Sequence, residues 1–274
     1  MALALATVAA ILLALAVRAD RIPGPLGVAA SGSIPFLTPA SPQWFRLVVS
    51  AFAVVWAARA WDRSRGRAPD LEGWRYWLWW LMPADAQLPR NREEATAHQR
   101  AGLARLARVL PKAAVLAGLV LVNRSVDDIT THRFAFGAWS LVYLYAFISA
   151  IADATTGLLM LTGLRMSETF ERPMFARSSA EFWGRRWNRF VTRWAFRNVF
   201  IPMGGRRAPI RATMLVFTIS GLMHEYLVVA CGDGFGRYTG WTLSFFLLHG
   251  LAVVVSTRWR TRLPTSPAIA LHQG

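Results

Sequence analysis

The sequence predicts an all-α, polytopic membrane protein of about six transmembrane helices, with further amphipathic helices at the cytoplasmic interface. Three observations carry this prediction. Apolar residues make up 54% of the 274 and gather into runs near span length. Arginine-rich stretches separate the runs. The basic charge of those stretches also alternates along the chain: Lys and Arg number 11 in residues 59–112 and 11 in 164–211, against two in 18–44, two in 123–133 and one in 232–240. By the positive-inside rule, residues 59–112, 164–211 and the tail with Arg258, Arg260 and Arg262 lie on the cytoplasmic side. Both termini are then cytoplasmic, provided the first span is retained.

Taken in order, Ala2 to Val17 is the first span. It lacks the basic n-region of a signal peptide, so it is expected to stay in the mature chain. Residues 18–44 hold Pro23, Pro25, Pro35, Pro39 and Pro42 and are expected to form a loop. Phe45 to Trp61 is the second span. Within the basic segment, Trp74, Tyr76, Trp77, Trp79 and Trp80 around Arg75 are expected to form an aromatic belt at headgroup level. Asn91 to Val109 is expected to be a charged amphipathic helix broken by Pro111. Ala113 to Val122, Phe134 to Asp153 (running on toward Leu164), Pro209 to Cys231 and Trp241 to Thr257 complete the spans. Asp127 and Asp128 are expected to be solvated loop charges. The division is 1–164 as the N-terminal transmembrane region, 165–257 as the functional core and 258–274 as a short polar tail.

Composition excludes several functions. A net charge of +16 would point to nucleic acid in a soluble protein. Here membrane topology and attraction to anionic headgroups or phosphorylated ligands account for it, so no nucleic-acid partner is expected. Cys231 is the only cysteine, which leaves no disulfide framework and no cysteine-based metal site. Val228 stands where a metalloprotease would need its second histidine after His224-Glu225. No nucleophile elbow, Walker loop or dinucleotide-binding glycine motif occurs, nor any His four residues before Asp.

Two stretches remain. In the first, Ser178 and Glu181 have capping-box spacing, which predicts a helix start. A continuous helix from there places Trp183, Trp187, Phe190, Val191 and Trp194 on one arc, and Arg185, Arg186, Arg189, Arg193 and Arg197 on the next. Such a helix lies in the interface with its arginines toward water. Those arginines bind either lipid headgroups or a phosphorylated cosubstrate, and composition leaves both open. In the second stretch, His224 lies 15 residues after Pro209, at or beyond mid-bilayer in a regular helix. Ser220 is one turn earlier on the same face and is placed to bond the imidazole. Glu225 points about 100° away around a regular helix. A buried polar cluster can glue helices together. A neutral imidazole there can equally serve as a general base.

Pro173-Met174-Phe175, Ser179 to Asn188 (S-A-E-F-W-G-R-R-W-N), Arg197 to Pro202, Ser220 to Glu225 (S-G-L-M-H-E) and Phe245 to Gly250 (F-F-L-L-H-G) together resemble the wax synthase branch of the membrane-bound O-acyltransferases. The resemblance runs from about Pro173 to Val255; the first 160 residues share only its general character. It implies a membrane enzyme that moves an acyl group from acyl-CoA, as cosubstrate and without a further cofactor, to a lipophilic alcohol such as a long-chain alcohol. It also implies His224 as catalytic base and Asn188 as the second active-site residue, with Ser220, Glu225, Trp183 and Trp187 supporting them. By the same resemblance, Arg185, Arg186, Arg189 and Arg193 face the acyl-CoA. Members of this branch usually continue past the Phe245–Gly250 region with further hydrophobic segments, so a shortened and inactive member is one alternative expectation. A lipid or small-molecule transporter with His224 in its path is another.

Overall fold

The computed structural model describes residues 2–19, 21–38, 43–68, 73–81, 86–125, 133–231, 235–236 and 239–262, and almost all of them are helical. Helices α1 (Ala2–Arg18), α2 (Gly24–Ser33), α3 (Gln43–Ser64) and α4 (Trp74–Leu81) come first. The two-residue strand β1 (Ala86–Gln87) follows, then α5 (Arg92–Ala107), α6 (Val109–Ser125) and α7 (Arg133–Met160). Strand β2 (Arg165–Met166) pairs antiparallel with β1. Then come α8 (Ser179–Glu181), α9 (Arg189–Ala195), α10 (Pro209–Cys231) and α11 (Trp241–Arg262).

All six predicted spans fall on helices. Among the described residues, three stretches are long and apolar enough to cross a membrane: Gly137–Met160, Pro209–Cys231 and Trp241–Arg258. In α1 the apolar stretch Ala6–Arg18 is shorter, and α3 carries Arg46, Arg59, Asp62 and Arg63 along its length. Asp127, Asp128 and residues 263–274 lie outside the described residues.

The chain forms two compact units, and they do not follow chain order. One joins Met1–Pro83 to Arg172–Gly274; the other is Ala84–Glu171.

In the first unit, much of the expected loop at 18–44 is instead α2 followed by a 3₁₀ turn, Ile34–Leu37, while Pro39 and Pro42 lie outside the described residues. The signals that pointed to a loop have another use. Pro25 sits in the first turn, where a missing N–H costs nothing. Gly24 and Gly27 let α2 close on α3: a Cβ at Gly24 would lie 2.1 Å from Ser64 Oγ, and one at Gly27 2.8 Å from Ala60 Cβ. Small residues at such a crossing bring two backbones together. The expected aromatic belt is also revised. Tyr76, Trp79 and Trp80 are buried in a core with Leu13, Ala14, Val17, Ala53, Trp56 and Ala60, and only Trp74 stands well exposed. Tyr76 anchors α4 by donating its hydroxyl to the Ala14 carbonyl at 2.5 Å. Its ring is apolar and its tip polar, and here both are satisfied inside protein.

Helix α3 also carries the polar joint of this unit. Arg59, 2% exposed, lies between the rings of Trp79 and Phe190, 4.9 Å from each centroid. Buried Asp62 accepts from Asn198 Nδ2 at 2.9 Å, and Arg67 donates to Asn198 Oδ1 at 2.5 Å. The Asn198 amide is thus read from both ends, which fixes the segment after α9 against α3.

In the second unit, Asn91 caps α5 by accepting from Glu94 N–H at 2.8 Å, while the Glu94 carboxylate accepts from Arg90 N–H at 2.7 Å. The break between α5 and α6 falls at Arg108. Pro111 does not cause it but stands in the first turn of α6, where a proline is tolerated. Helices α5 and α7 cross at two glycines. A Cβ on Gly102 would lie 2.9 Å from Gly157 O and 2.8 Å from Met160 Cβ. Beside the crossing, buried Arg105 donates to Thr156 Oγ1 and pairs with Glu168 at 2.6 Å. Lys112 pairs with Asp153 at 2.5 Å and bonds the Ser149 carbonyl, so the charge on the apolar helix α7 is compensated within the unit.

Gly102→Val therefore has to push α5 off α7. The expected loss is about 1–3 kcal/mol from overpacking, read as a lowered thermal midpoint in detergent. Gly118→Ala on α6, whose added Cβ meets nothing within 4 Å, is expected to leave the midpoint unchanged or raise it. Equal midpoints for the two variants would refute the glycine crossing.

Candidate active site around His224 and the aromatic-arginine segment

The site residues lie in the unit that joins 1–83 to 172–274. His224 is half-buried on α10, and its Nδ1 stands 2.7 Å from the Ser220 carbonyl oxygen. The expected hydroxyl bond is thus replaced by a bond to the backbone of the same residue. The difference fixes the tautomer. A carbonyl only accepts, so Nδ1 carries the proton and donates it, leaving Nε2 with its lone pair free to accept one.

The imidazole packs on Phe246 of α11, ring centroids 4.4 Å apart. Gly221, one turn before His224, makes this approach possible: a Cβ there would lie 2.8 Å from Leu243 Cδ1 and 3.1 Å from Leu243 Cα. Gly250 does the same further along α11, where a Cβ would lie 2.9 Å from Phe217 Cβ. Glu225 holds the start of α11. Its buried carboxylate accepts from Gly240 N–H at 2.7 Å, from Leu243 N–H at 3.2 Å and from the Thr242 hydroxyl. A carboxylate on the unpaired N–H groups of a helix start satisfies them and complements the helix dipole. Glu225 thereby sets where α11 presents Phe246 to His224.

The aromatic-arginine segment departs from the single amphipathic helix that the sequence predicts. Three-residue α8 runs into a π-turn, Phe182–Arg186; the chain breaks at Trp187–Asn188, and α9 runs into a second π-turn, Phe196–Phe200. The break has a local cause. Asn188 adopts φ 38°, in the left-handed region that asparagine tolerates, and its Oδ1 accepts from Val191 N–H at 3.4 Å as the cap of α9. Ser178 does cap α8, accepting from Glu181 N–H at 3.1 Å.

The break turns Trp183 inward. Its ring meets Phe217 and Phe246 at 5.7 Å each and His249 at 5.5 Å. Trp187 stacks on Phe182 at 5.3 Å and meets Trp183 edge-on at 6.2 Å. A continuous run of rings therefore leads from Trp187 through Trp183 and Phe246 to His224. Asn188, by contrast, bonds within its own segment. Of the four arginines, Arg186 closes the segment: it pairs with Glu181 at 2.7 Å and donates to the Arg172 carbonyl at 3.2 Å. Arg185 is exposed, while Arg189 and Arg193 are half-buried.

Sequence reasoning gave His249 no role beyond membership of the Phe245–Gly250 match. Its Nδ1 lies 2.9 Å from the Phe245 carbonyl and its ring packs on Phe245 at 4.1 Å. Its closeness to Trp183 depends on how α11 crosses the segment, which no local spacing reveals. Among the described residues, no cluster of His, Cys, Asp or Glu is disposed to hold a metal ion.

Glu181 also makes the segment sensitive to acid. The Arg177 N–H and then the Arg186 guanidinium hold its carboxyl below the ordinary carboxylate range. A depressed carboxyl contributes stability that is present above its unfolded value and is lost as pH falls through its folded value. The thermal midpoint of the wild-type chain is thus expected to exceed that of Glu181→Gln at neutral pH, with the gap closing as pH falls below about 4. A gap that stays constant down to pH 3 would contradict the role of this carboxylate.

Residues 92–267 match the family model of MBOAT, the membrane-bound O-acyltransferase family. The chain belongs to this family. The family match and the three long apolar helices make it an integral membrane protein. It is 32% identical over 169 residues to a probable long-chain-alcohol O-fatty-acyltransferase 2 of Arabidopsis thaliana, covering 56% of this chain and 48% of the relative. It is 36% identical over 125 residues to a long-chain-alcohol O-fatty-acyltransferase of Simmondsia chinensis, 41% of this chain and 34% of the relative. It is 28% identical over 147 residues to the acyl-CoA–sterol O-acyltransferase 1 of Arabidopsis thaliana, 47% of this chain and 42% of the relative. The chain thus spans half or less of the length of these relatives. Residues 1–83 precede the matched range, yet they pack in one unit with 172–274.

Proposed function

We propose that this member of the family moves a fatty acyl group from acyl-CoA to a lipophilic hydroxyl, with a long-chain alcohol as the acceptor and a wax ester as the product. The observation that carries the reading is His224 on an apolar helix, with Nδ1–H bonded to the Ser220 carbonyl and Nε2 left as the basic nitrogen. Nε2 takes the proton of the alcohol as its oxygen attacks the thioester carbonyl. The tetrahedral intermediate collapses with loss of the CoA thiolate. The imidazolium then returns the proton to the thiolate, which gives free CoA and the ester. Asn188 is the second residue of the site: its Oδ1 caps α9, and its NH₂ is the group available to the oxyanion.

Arg185, Arg189 and Arg193 serve the CoA phosphates, with Arg186 fixing the shape of the segment. The chain crosses the membrane several times, with both termini and the arginine segment in the cytoplasm, where acyl-CoA is found. A lipid-soluble acceptor reaches His224 from the bilayer. A sterol hydroxyl is the second acceptor, favoured by the similarity to a sterol acyltransferase.

The test uses membranes containing the protein, labelled acyl-CoA, and a panel of long-chain alcohols and sterols. The expected product is the labelled ester of a long-chain alcohol, absent with His224→Ala. Movement of lipid across proteoliposomes without any ester would favour a transporter instead.

A further inference from the structure

We propose that the turn leading into α10 is a binding surface for anionic phospholipid, separate from the arginines assigned to the acyl donor. Between Phe182 and His224 the sequence holds eight arginines and no aspartate or glutamate, so no acid in this stretch offsets them. Five of these are engaged elsewhere: Arg185, Arg186, Arg189 and Arg193 belong to the aromatic segment, and the charge of Arg197 acts on Asp62. Arg206, Arg207 and Arg211 remain, all exposed. Gly204 and Gly205, at φ 104° and 52°, make the turn that places Arg206 and Arg207 just ahead of Pro209.

Exposed apolar side chains lie among them. Ile201 is 55% exposed, Ile210 40% and Phe196 50%. Because α10 is long and apolar enough to cross a membrane, its first residues stand at the level where the chain enters the bilayer. Apolar side chains at that level enter the acyl boundary while guanidinium groups meet the phosphates. Three cations without an intervening acid are complementary to an anionic leaflet and gain nothing from a neutral one. A basic residue at such a surface favours an anionic lipid by roughly fivefold.

The full-length protein would be reconstituted in vesicles of phosphatidylcholine with 30 mol% phosphatidylglycerol. Spin-labelled phosphatidylglycerol and phosphatidylcholine then report the lipid in contact with protein. The expected result is severalfold enrichment of phosphatidylglycerol, falling as salt is raised toward 1 M, where the screening length shrinks to about 3 Å. In Arg206→Gln/Arg207→Gln/Arg211→Gln the enrichment falls at least threefold, and the matching triple lysine variant keeps it. Unchanged enrichment in the triple glutamine variant overturns the proposal. So does equal contact of the two lipids with the wild-type protein, a result that needs no variant to fold. The readout is independent of acyl transfer, so a failed ester assay leaves it standing. A KM for acyl-CoA that rises together with loss of enrichment would reassign these arginines to the donor and also overturn it.

Discussion

Replacing His224 by alanine is expected to lower kcat for acyl transfer by about 10²–10⁴-fold, the usual worth of a positioned general base. The size of the effect follows from chemistry. A neutral alcohol is a weak nucleophile toward a thioester, and attack without proton removal leaves a positive charge on oxygen in an apolar span. The Ser220 carbonyl holds Nδ1–H, so the imidazole acts through Nε2 alone. His224→Gln keeps a polar side chain but has no basic nitrogen, and the same loss in kcat is expected from it. The KM for acyl-CoA should change little in both variants, because the donor phosphates are assigned to the arginine segment. Ser220→Ala is the contrasting variant. The bond runs to the Ser220 backbone, so its hydroxyl is dispensable and activity should stay within about threefold of wild type, as for an interaction outside the reacting groups. Loss of activity in Ser220→Ala equal to that in His224→Ala would contradict the observed hydrogen bond.

The second large effect lies far from His224 in sequence. Asp62→Ala is expected to destabilise the protein by about 1–3 kcal/mol, the cost of leaving a buried hydrogen-bonding group without its acceptor. Asp62 is 3% exposed and Asn198 9%. The carboxylate faces the charges of Arg197, Arg59 and Arg67. Without it, those charges lose their acid, and Asn198 Nδ2 keeps only the Trp194 carbonyl. The segment carrying Arg189 and Arg193 would come loose from α3. Exchange of the two side chains supplies the rescue. In Asp62→Asn/Asn198→Asp the amide donates from α3 to a carboxylate on the segment, and Arg67 then meets a charged acceptor in place of a neutral one. Thermal midpoints of the two single variants and the double variant in detergent measure this. A double variant no more stable than Asp62→Asn and Asn198→Asp would show that the pairing does not hold the segment.

What was legible in the sequence and what was not divides by the distance over which the cause acts. The cap at Ser178 is local, made with a residue three positions on, and spacing finds it. Spans in α7, α10 and α11 are legible because length and hydropathy are properties of one segment. The prolines and glycines of α2 are turn residues in isolation and by themselves predict a loop. Their use becomes visible only when Ala60 and Ser64, more than 30 residues later, close on them. The aromatic cluster of α4 looked like a membrane belt for the same reason: its partners lie in α1 and α3.

The site itself shows both sides. Cost of burial singles out His224 in the sequence, and the resemblance adds Asn188 and Trp183. The ring contacts that join Trp183 to His224 through Phe246 are not legible there. A wheel of 100° per residue assumes a regular helix, and the two π-turns and the left-handed Asn188 void that assumption. Helix geometry turns Glu225 about 100° away from His224 but does not say what it meets. Its partners are Gly240, Thr242 and Leu243, across a chain reversal that no periodicity encodes.

The central claim is that a lipophilic hydroxyl attacks an acyl thioester at His224. The most direct measurement gives the purified, reconstituted protein acyl-CoA and a long-chain alcohol carrying ¹⁸O in its hydroxyl, and follows the products by mass spectrometry. The account predicts one ester that retains the ¹⁸O in its alkyl oxygen, with one free CoA released per ester. Release of CoA with free fatty acid and no labelled ester, or labelled ester formed at the wild-type rate by His224→Ala, would contradict it.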